Sequence, residues 1–364
     1  MSKNEFLYQK VYDGVLMAIQ QGSLLPGQKL PPAATLMDEY GVSRITVDKA
    51  LALLVQEGYL KRVPGQGSFV EQKKSGKTPA APNGLKVIGI VLEHVSTPFG
   101  LDMMYQLDLC AAEHGYKTLV RFSLGDRQRE TEEIDFLMGL GIDGLIIMPC
   151  HGKHYNPSLL KLYLEEFPVV MVDKNMQGIK LPSVRTDNAA AVWLLVETLA
   201  EQGRRCMALL TSDDANAVSV RERRRGFIDG IDAAGVTEAG IFPLPLKNTR
   251  EELLSSKPPA GVLEEIRRFW EGCRGKADAV ICAEYSILPP LLCVLNEDGV
   301  TDEDLRIAVV DEDYLAPEGY RFLHVKQDEA AIAVKAVELL MMRIQNKSVG
   351  REDFLIPAVL MCQK

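Results

Sequence analysis

Apolar side chains recur along this chain with two different periods, and the change of period divides it. At the start the period is helical. Leu7, Val11, Val15, Ala18 and Ile19 fall on one side of a segment running from Phe6 to Gln21, which Gly22 closes. Leu30-Pro31-Pro32 opens a short second helix from Ala33 to Tyr40, and Gly41-Val42 makes a tight turn. Val47, Ala50, Leu51, Leu54 and Val55 then form one buried stripe of a third helix, N-capped by Ser43 and ended by Gly58. Arg44, Thr46 and Lys49 are expected on its opposite face. Two short runs, Tyr59–Val63 and Ser68–Val70, flank Pro64-Gly65-Gln66-Gly67 and predict a hairpin. Three helices with a tight turn and a hairpin are a winged helix-turn-helix.

From Leu85 onward the pattern changes. β-Branched runs such as Lys86–Leu92, Tyr116–Phe122, Gly144–Met148, Pro168–Val172, Cys206–Leu210, Ala279–Cys282 and Ile307–Val310 read as strands. Helical segments alternate with them: Phe99–His114, Arg127–Leu140, Pro157–Glu166, Ala189–Gln202, Arg221–Ala234, Gly261–Gly272, Leu288–Glu297 and Glu329–Gln345. Such alternation predicts parallel sheets, and two sets of it predict two Rossmann-like lobes with a ligand cleft at the strands' carboxyl ends. Between the two regions, residues 73–84 are rich in Lys, Gly, Pro and Ala without apolar periodicity, a linker.

Composition changes this picture little. A chain of 364 residues with 47% hydrophobic and 25% charged content is a globular protein of two or three domains. Seven cysteines without a C-x-x-C pair suggest reduced thiols and a cytoplasmic location, with Cys206 and Cys282 in the core. No secretory signal or membrane-length apolar run is present in the sequence. Charge is more informative. Residues 1–72 hold seven cations and seven anions, while the whole chain carries −9. A nucleic-acid reader of zero net charge must rely on local placement of its cations and on dimerisation.

Three separated motifs carry a resemblance: Leu25-Pro26-Gly27-Gln28-Lys29-Leu30-Pro31, then GVSRITVDKAL, then EGYLKRVPGQGSFV. In this order, over residues 6–70, they resemble the GntR-type winged helix. The resemblance implies binding to double-stranded operator DNA. The contacts would come from Ser43, Arg44, Thr46 and Lys49 of the recognition helix, and from Lys61, Arg62, Gly65, Gln66 and Gly67 of the wing. Asp48 and Ala34 stand where that family usually has arginine, so a different operator is expected.

The segments FPVVMVDKN, VRTDNAAAV, EQGRRCMALL, SVRERRRGFIDGI and HVKQDEAA resemble LacI-type regulators and periplasmic sugar-binding proteins. A GntR-type reader joined to such a sensor is similar to arabinose-repressor hybrids. The implied fold is α/β: an N-terminal winged helix-turn-helix over 1–72, the linker 73–84, and a two-lobed periplasmic-binding-protein type I domain over 85–364. Its N-lobe is expected at about 85–203 and 328–347, and its C-lobe at about 204–327 and 348–364. The implied function is a homodimeric repressor of carbohydrate-utilisation genes, controlled by a monosaccharide or sugar derivative. No catalysis, cofactor, metal or membrane contact is expected.

The resemblance places Arg223 and Asp313 as ligands of sugar hydroxyls, the first among the cations Arg221, Arg223, Arg224 and Arg225. A guanidinium donates to two oxygens at once, and a carboxylate accepts from two. Asp187 is a ligand or a helix N-cap. Ser96, Phe99 and His151 follow strands and are expected in the cleft, with Phe99 stacking on a ring or packing in the core. Glu284-Tyr285 replaces the family's usual Asn-Asp, so a charged or amino ligand is also open. Gly139 to Gly144 spells G-x-G-x-x-G, but between a helix and a strand, the reverse of a dinucleotide site. His151 and His154 near Cys150 lack a third metal ligand, Trp193 is expected at a core position of its helix, and Cys293 lacks a histidine partner. Two other readings are an enzyme fused to a DNA-binding segment and a sugar-binding protein whose winged helix contacts only protein. Aminotransferase-like fusions would need a Schiff-base lysine and a longer chain.

Overall fold

The computed structural model describes residues 3–20, 23–25, 27–56, 59–63, 67–71, 84–150, 156–176, 181–214, 217–246, 261–301, 304–311, 322–347 and 353–362. The chain forms two compact units, residues 1–77 and 78–364.

The first unit holds helices α1 (Lys3–Gln20), α2 (Ala33–Tyr40) and α3 (Arg44–Gln56) and the hairpin β1 (Leu60–Val63) and β2 (Gly67–Val70). Val11 and Val15 of α1 and Val47, Ala50 and Leu54 of α3 form its core, as their spacing predicts, together with Leu36 of α2. Gly41 takes φ 65° as the C-cap of α2, a conformation that costs a side-chain-bearing residue energy, and so turns the chain into α3. The strands of the wing are antiparallel, with Lys61 opposite Phe69 and Arg62 opposite Ser68.

The second unit contains two six-stranded sheets. The first lobe carries the order β13-β7-β6-β5-β3-β4. Its strands are β3 (Val87–Leu92), β4 (Lys117–Phe122), β5 (Gly144–Ile147), β6 (Val169–Val172), β7 (Ser183–Thr186) and β13 (Asp353–Ile356). The second lobe has the order β14-β12-β11-β10-β8-β9. There the strands are β8 (Cys206–Ser212), β9 (Glu238–Leu244), β10 (Ala279–Cys282), β11 (Arg306–Val310), β12 (Leu323–Lys326) and β14 (Val359–Cys362). All pairs within these two sheets are parallel except β12 with β14. Helices cover both faces: α4 (Leu101–Glu113), α5 (Arg127–Gly139) and α6 (Pro157–Leu164), then α7 (Asn188–Glu201), α8 (Val218–Ala234), α9 (Val262–Cys273), α10 (Leu288–Glu297) and α11 (Glu329–Ile344).

The lobes divide differently from the sequence expectation. Leu195 and Leu199 of α7 pack against Leu209, Ile281 and Val310, so the chain enters the second lobe immediately after β7. It returns after β12, because Ala336 and Leu340 of α11 pack against Ile90 and Ile146. β13 then pairs with β7 and β14 with β12, so the last two strands belong to opposite lobes and the chain crosses again between Ile356 and Val359. Trp193 is a second correction. Val192, Leu195 and Val196 face the core, whereas Trp193 is 38% exposed. α7 and α8 approach closely: a Cβ on Gly226 would lie 2.1 Å from the Ala189 carbonyl oxygen. Cys282 is buried, but Cys206 is only half-buried.

Candidate functional site

The exposed face of α3 is the first candidate. Ser43 accepts the backbone N–H groups of Thr46 and Val47 through its carbonyl, and its hydroxyl lies 2.8 Å from the Thr46 hydroxyl. Thr46 is thus buried and turned onto the cap, not displayed beside Arg44 as expected. Lys49 is exposed as expected, with its ammonium 4.1 Å from the centre of the Tyr8 ring on α1. The face displays Arg44, Ile45 and Lys49 beside half-buried Asp48, with Lys61 and Arg62 of the wing. Ile45 is 81% exposed, a side chain that the core pattern leaves outside. Asp48 lies between the two arginines, 3.8 Å from Arg44 Nε and 3.4 Å from Arg62 Nη2. Gly67 has φ 112° at the start of β2, facing the Lys29 side chain, while Gly65 and Gln66 lie outside the described residues.

The second candidate is built at strand carboxyl ends. β3 runs into Glu93-His94 and β6 into Asp173-Lys174; in the second lobe β8 ends in Thr211-Ser212, β10 runs into Glu284 and β11 into Asp311. Arg223 reaches this cluster from α8, because Val220, Arg223, Phe227 and Gly230 form that helix's buried stripe. Its Nε donates to Asn188 Oδ1 at 2.8 Å and its Nη1 to the Ala283 carbonyl at 2.7 Å. The guanidinium is thereby fixed by neutral acceptors, and it acts electrostatically on Asp173, Glu284 and Asp311, carboxylates of both lobes.

Lys174 is buried and paired with Glu93. Burial alone would lower its pKa, but Glu93 and Asp173 outweigh that and hold the ammonium above its usual range. Burial pushes the Asp173, Glu284 and Glu130 carboxyls up, and Asp311 up to about 6. It pushes the His94 imidazole down. Asp311 takes φ 72° and accepts twice from Gln327 Nε2, at 2.9 and 3.1 Å; Gln327 Oε1 accepts from Thr186 at 2.5 Å. This chain of bonds links β11 to two crossovers between the lobes. A third link is Arg185 of β7, buried, which donates to Glu222 of α8 at 2.6 Å and to Asp353 at 3.1 Å.

Several expected ligands have other work. Asp187 caps α7 by accepting from the Ala190 N–H, and its neighbour Asn188 turns inward instead. Ser96 donates to the Phe99 carbonyl, and Phe99 packs on the first-lobe core. Arg221 is exposed on α8. Tyr285 packs against the outer core of the second lobe, leaving Glu284 of that pair in the cluster. His151 and Asp313 lie outside the described residues, as does His154. Sequence reasoning missed Glu93, Asp173, Lys174, Asn188, Asp311 and Gln327. A signal was present for the first three: charged residues directly after fully apolar strand runs.

Three family profiles match the chain in order. "Bacterial regulatory proteins, gntR family" covers residues 7–70, "Periplasmic binding proteins and sugar binding domain of LacI family" covers 85–254, and "Periplasmic binding protein-like domain" covers 196–361. A relative from Geobacillus stearothermophilus, an arabinose metabolism transcriptional repressor, is 27% identical over 94% of this chain and 93% of its own. The trehalose repressor from Escherichia coli has the same fold with TM-score 0.60 at 18% identity, over 76% of this chain and 99% of that one. A periplasmic binding protein/LacI transcriptional regulator from Alkaliphilus metalliredigens, complexed with D-xylulofuranose, gives TM-score 0.61 at 19% identity over 76% and 97%. Among the described residues, no helix is long and apolar enough to cross a membrane, and no group of three or more metal-ligand side chains forms.

Proposed function

The chain joins a GntR-type DNA reader to a LacI-type sensor, and from that premise we propose that it represses carbohydrate-utilisation genes in the cytoplasm until a sugar binds between its lobes. The observation that carries this is Arg223. A buried arginine held by Asn188 and the Ala283 carbonyl, with carboxylates of both lobes around it, is a ready donor to sugar hydroxyls. The relatives support the same reading, since those that span the chain are named for sugar-operon repression.

Mechanism follows from differential binding. A sugar that contacts both lobes favours the arrangement in which they close on it. The Thr186–Gln327–Asp311 chain and the Arg185–Glu222 pair lie where the lobes connect, so closure must act on them. The reader alone has zero net charge, so operator affinity requires two readers. Exposed Tyr105 and Leu109, one turn apart on α4, offer apolar side chains to a second copy. Closure then changes the spacing of two recognition helices. In this reading the protein catalyses no reaction and needs no cofactor.

The test takes the full chain, selects DNA from a random pool, and titrates the selected duplex with and without each sugar of a pentose and hexose panel. Linkage requires the sugar that weakens operator binding to bind less tightly in the operator's presence, by the same factor. Sugar affinity unchanged by operator sinks the mechanism. A pool that yields no enriched sequence sinks the reader.

A further inference from the structure

The interlobe cluster holds more negative charge than its own cations neutralise. Four carboxylates meet there: Glu93 and Asp173 from the first lobe, Glu284 and Asp311 from the second. Lys174 and Arg223 act on them, with His94 beside Asp173, and both are engaged, Lys174 by Glu93 and Arg223 by two neutral oxygens. Glu284 accepts a backbone hydrogen bond from Ser212, and Asp311 accepts from Gln327. Asp173 faces Lys174 and Arg223 without a hydrogen bond to either. Desolvation outweighs the stabilising contacts at Asp173, Glu284 and Asp311, the state of carboxylates short of a counter-charge.

A second, independent feature points to a ligand there. Thr211 is wholly buried, yet its Oγ1 has no hydrogen-bond partner. Thr211 lies on the same strand face as Met207 and Leu209, which pack with α7 and α8, so the hydroxyl is on the Arg223 side of the sheet at its carboxyl end. His94 Nδ1, also buried, is likewise unpartnered. Buried polar atoms without a partner call for a water, an ion or a ligand to fill them.

We propose that the effector is a sugar bearing a protonated amine, received by Asp173 and Glu284, with Thr211 and His94 bonding its hydroxyls. This rests on the sugar-sensor reading and narrows it. An ammonium brings one unit of positive charge and three donors to two carboxylates whose desolvation the protein's own contacts offset only in part. A neutral sugar supplies donors without charge, and a phosphosugar adds anionic charge to an anionic site.

The decisive comparison uses matched sugars on the full chain by calorimetry and thermal shift at neutral pH. Each pentose and hexose is set beside its amino, N-acetylamino and phosphate forms. The expected result is one amino sugar binding at least tenfold tighter than its hydroxyl and N-acetyl counterparts. Glu284→Gln and Asp173→Asn should each erase most of that preference while raising the ligand-free melting temperature, since each removes an unbalanced carboxylate. Tighter or equal binding by a neutral or phosphorylated sugar overturns the proposal but leaves the sensor reading standing. No response to any carbohydrate, in any charge state, overturns both.

Discussion

The reader and the sensor use the same ion-pairing groups in opposite surroundings. On α3, Arg44 and Asp48 are 77% and 40% exposed, and Arg62 joins them from the wing. Between the lobes, Arg185 is 8% exposed by side chain and Lys174 9%. Exposed pairs in water are worth about 0–1 kcal/mol and exchange readily for phosphates. Buried groups cannot exchange with solvent, and losing one partner strands the other. The reader's charges are therefore available to a partner, whereas the sensor's are committed to geometry and leave only chosen atoms open.

The largest expected effect tests that contrast at its extreme. Arg223→Ala removes the donor to Asn188 and Ala283 and the counter-charge of three carboxylates. Breaking such a buried arrangement costs about 3–5 kcal/mol. The sensor's unfolding transition in urea should move accordingly, and any sugar-induced stabilisation should vanish. If the transition does not move, Arg223 is a surface charge and the contrast fails.

A pH scan probes the same buried groups without mutation. Burial pushes Glu329 up to about 7, although the carboxylate accepts from the N–H groups of Gly100 and Met103 at the start of α4. Asp311 stands at about 6. Both folded acids hold their proton more tightly than in the unfolded chain. Their stabilising contribution is thus complete below about pH 4 and is lost as pH rises through 6 to 7. Each is worth roughly 3 kcal/mol at most. Glu329→Gln should flatten the fall in sensor melting temperature between pH 5 and 7.5 relative to the unaltered chain; an unchanged slope assigns the titration elsewhere.

What the sequence revealed follows the same division. Pro31-Pro32 and Gly41 located α2 between them, and periodicity located α10, whose apolar stripe is complete. It missed β7, β9, β12, β13 and β14. These strands are edges or next to edges, and several carry polar residues or, in β9, a proline. The lobe boundaries depended on those strands, so they were misplaced with them. Arg223 was legible because it interrupts an apolar stripe at a position the family marks. Asp187 and Asn188 were not separable, since one caps and the other turns inward on a single residue's rotation. Thr46 was misread because a hydroxyl at a helix start serves the cap as readily as DNA.

At the reader, Arg44→Ala should leave stability within about 0.5 kcal/mol, as for most surface changes. Operator affinity should fall by about 1–3 kcal/mol if Arg44 reads a base. Fluorescence anisotropy on the selected duplex and on scrambled DNA separates the cases. Equal loss on both makes Arg44 a phosphate contact, and no loss on either removes it from the reader.

The smallest effect is the sharpest test of exchangeability. Asp48 competes with phosphate for Arg44 and Arg62, being bonded to neither tightly. Each pair contributes about 0.2–1 kcal/mol that must be surrendered when the arginines turn to DNA. Asp48→Ala removes that cost and a local negative charge, so binding to scrambled DNA should strengthen by a few-fold at low salt. The gain should shrink as salt rises, because screening weakens the competitor and the phosphates together. Operator preference should narrow at the same time, since the added affinity is blind to sequence. If scrambled DNA binds no better, the arginines are already free in solution, and the pairs on α3 carry no weight in the reader's selectivity.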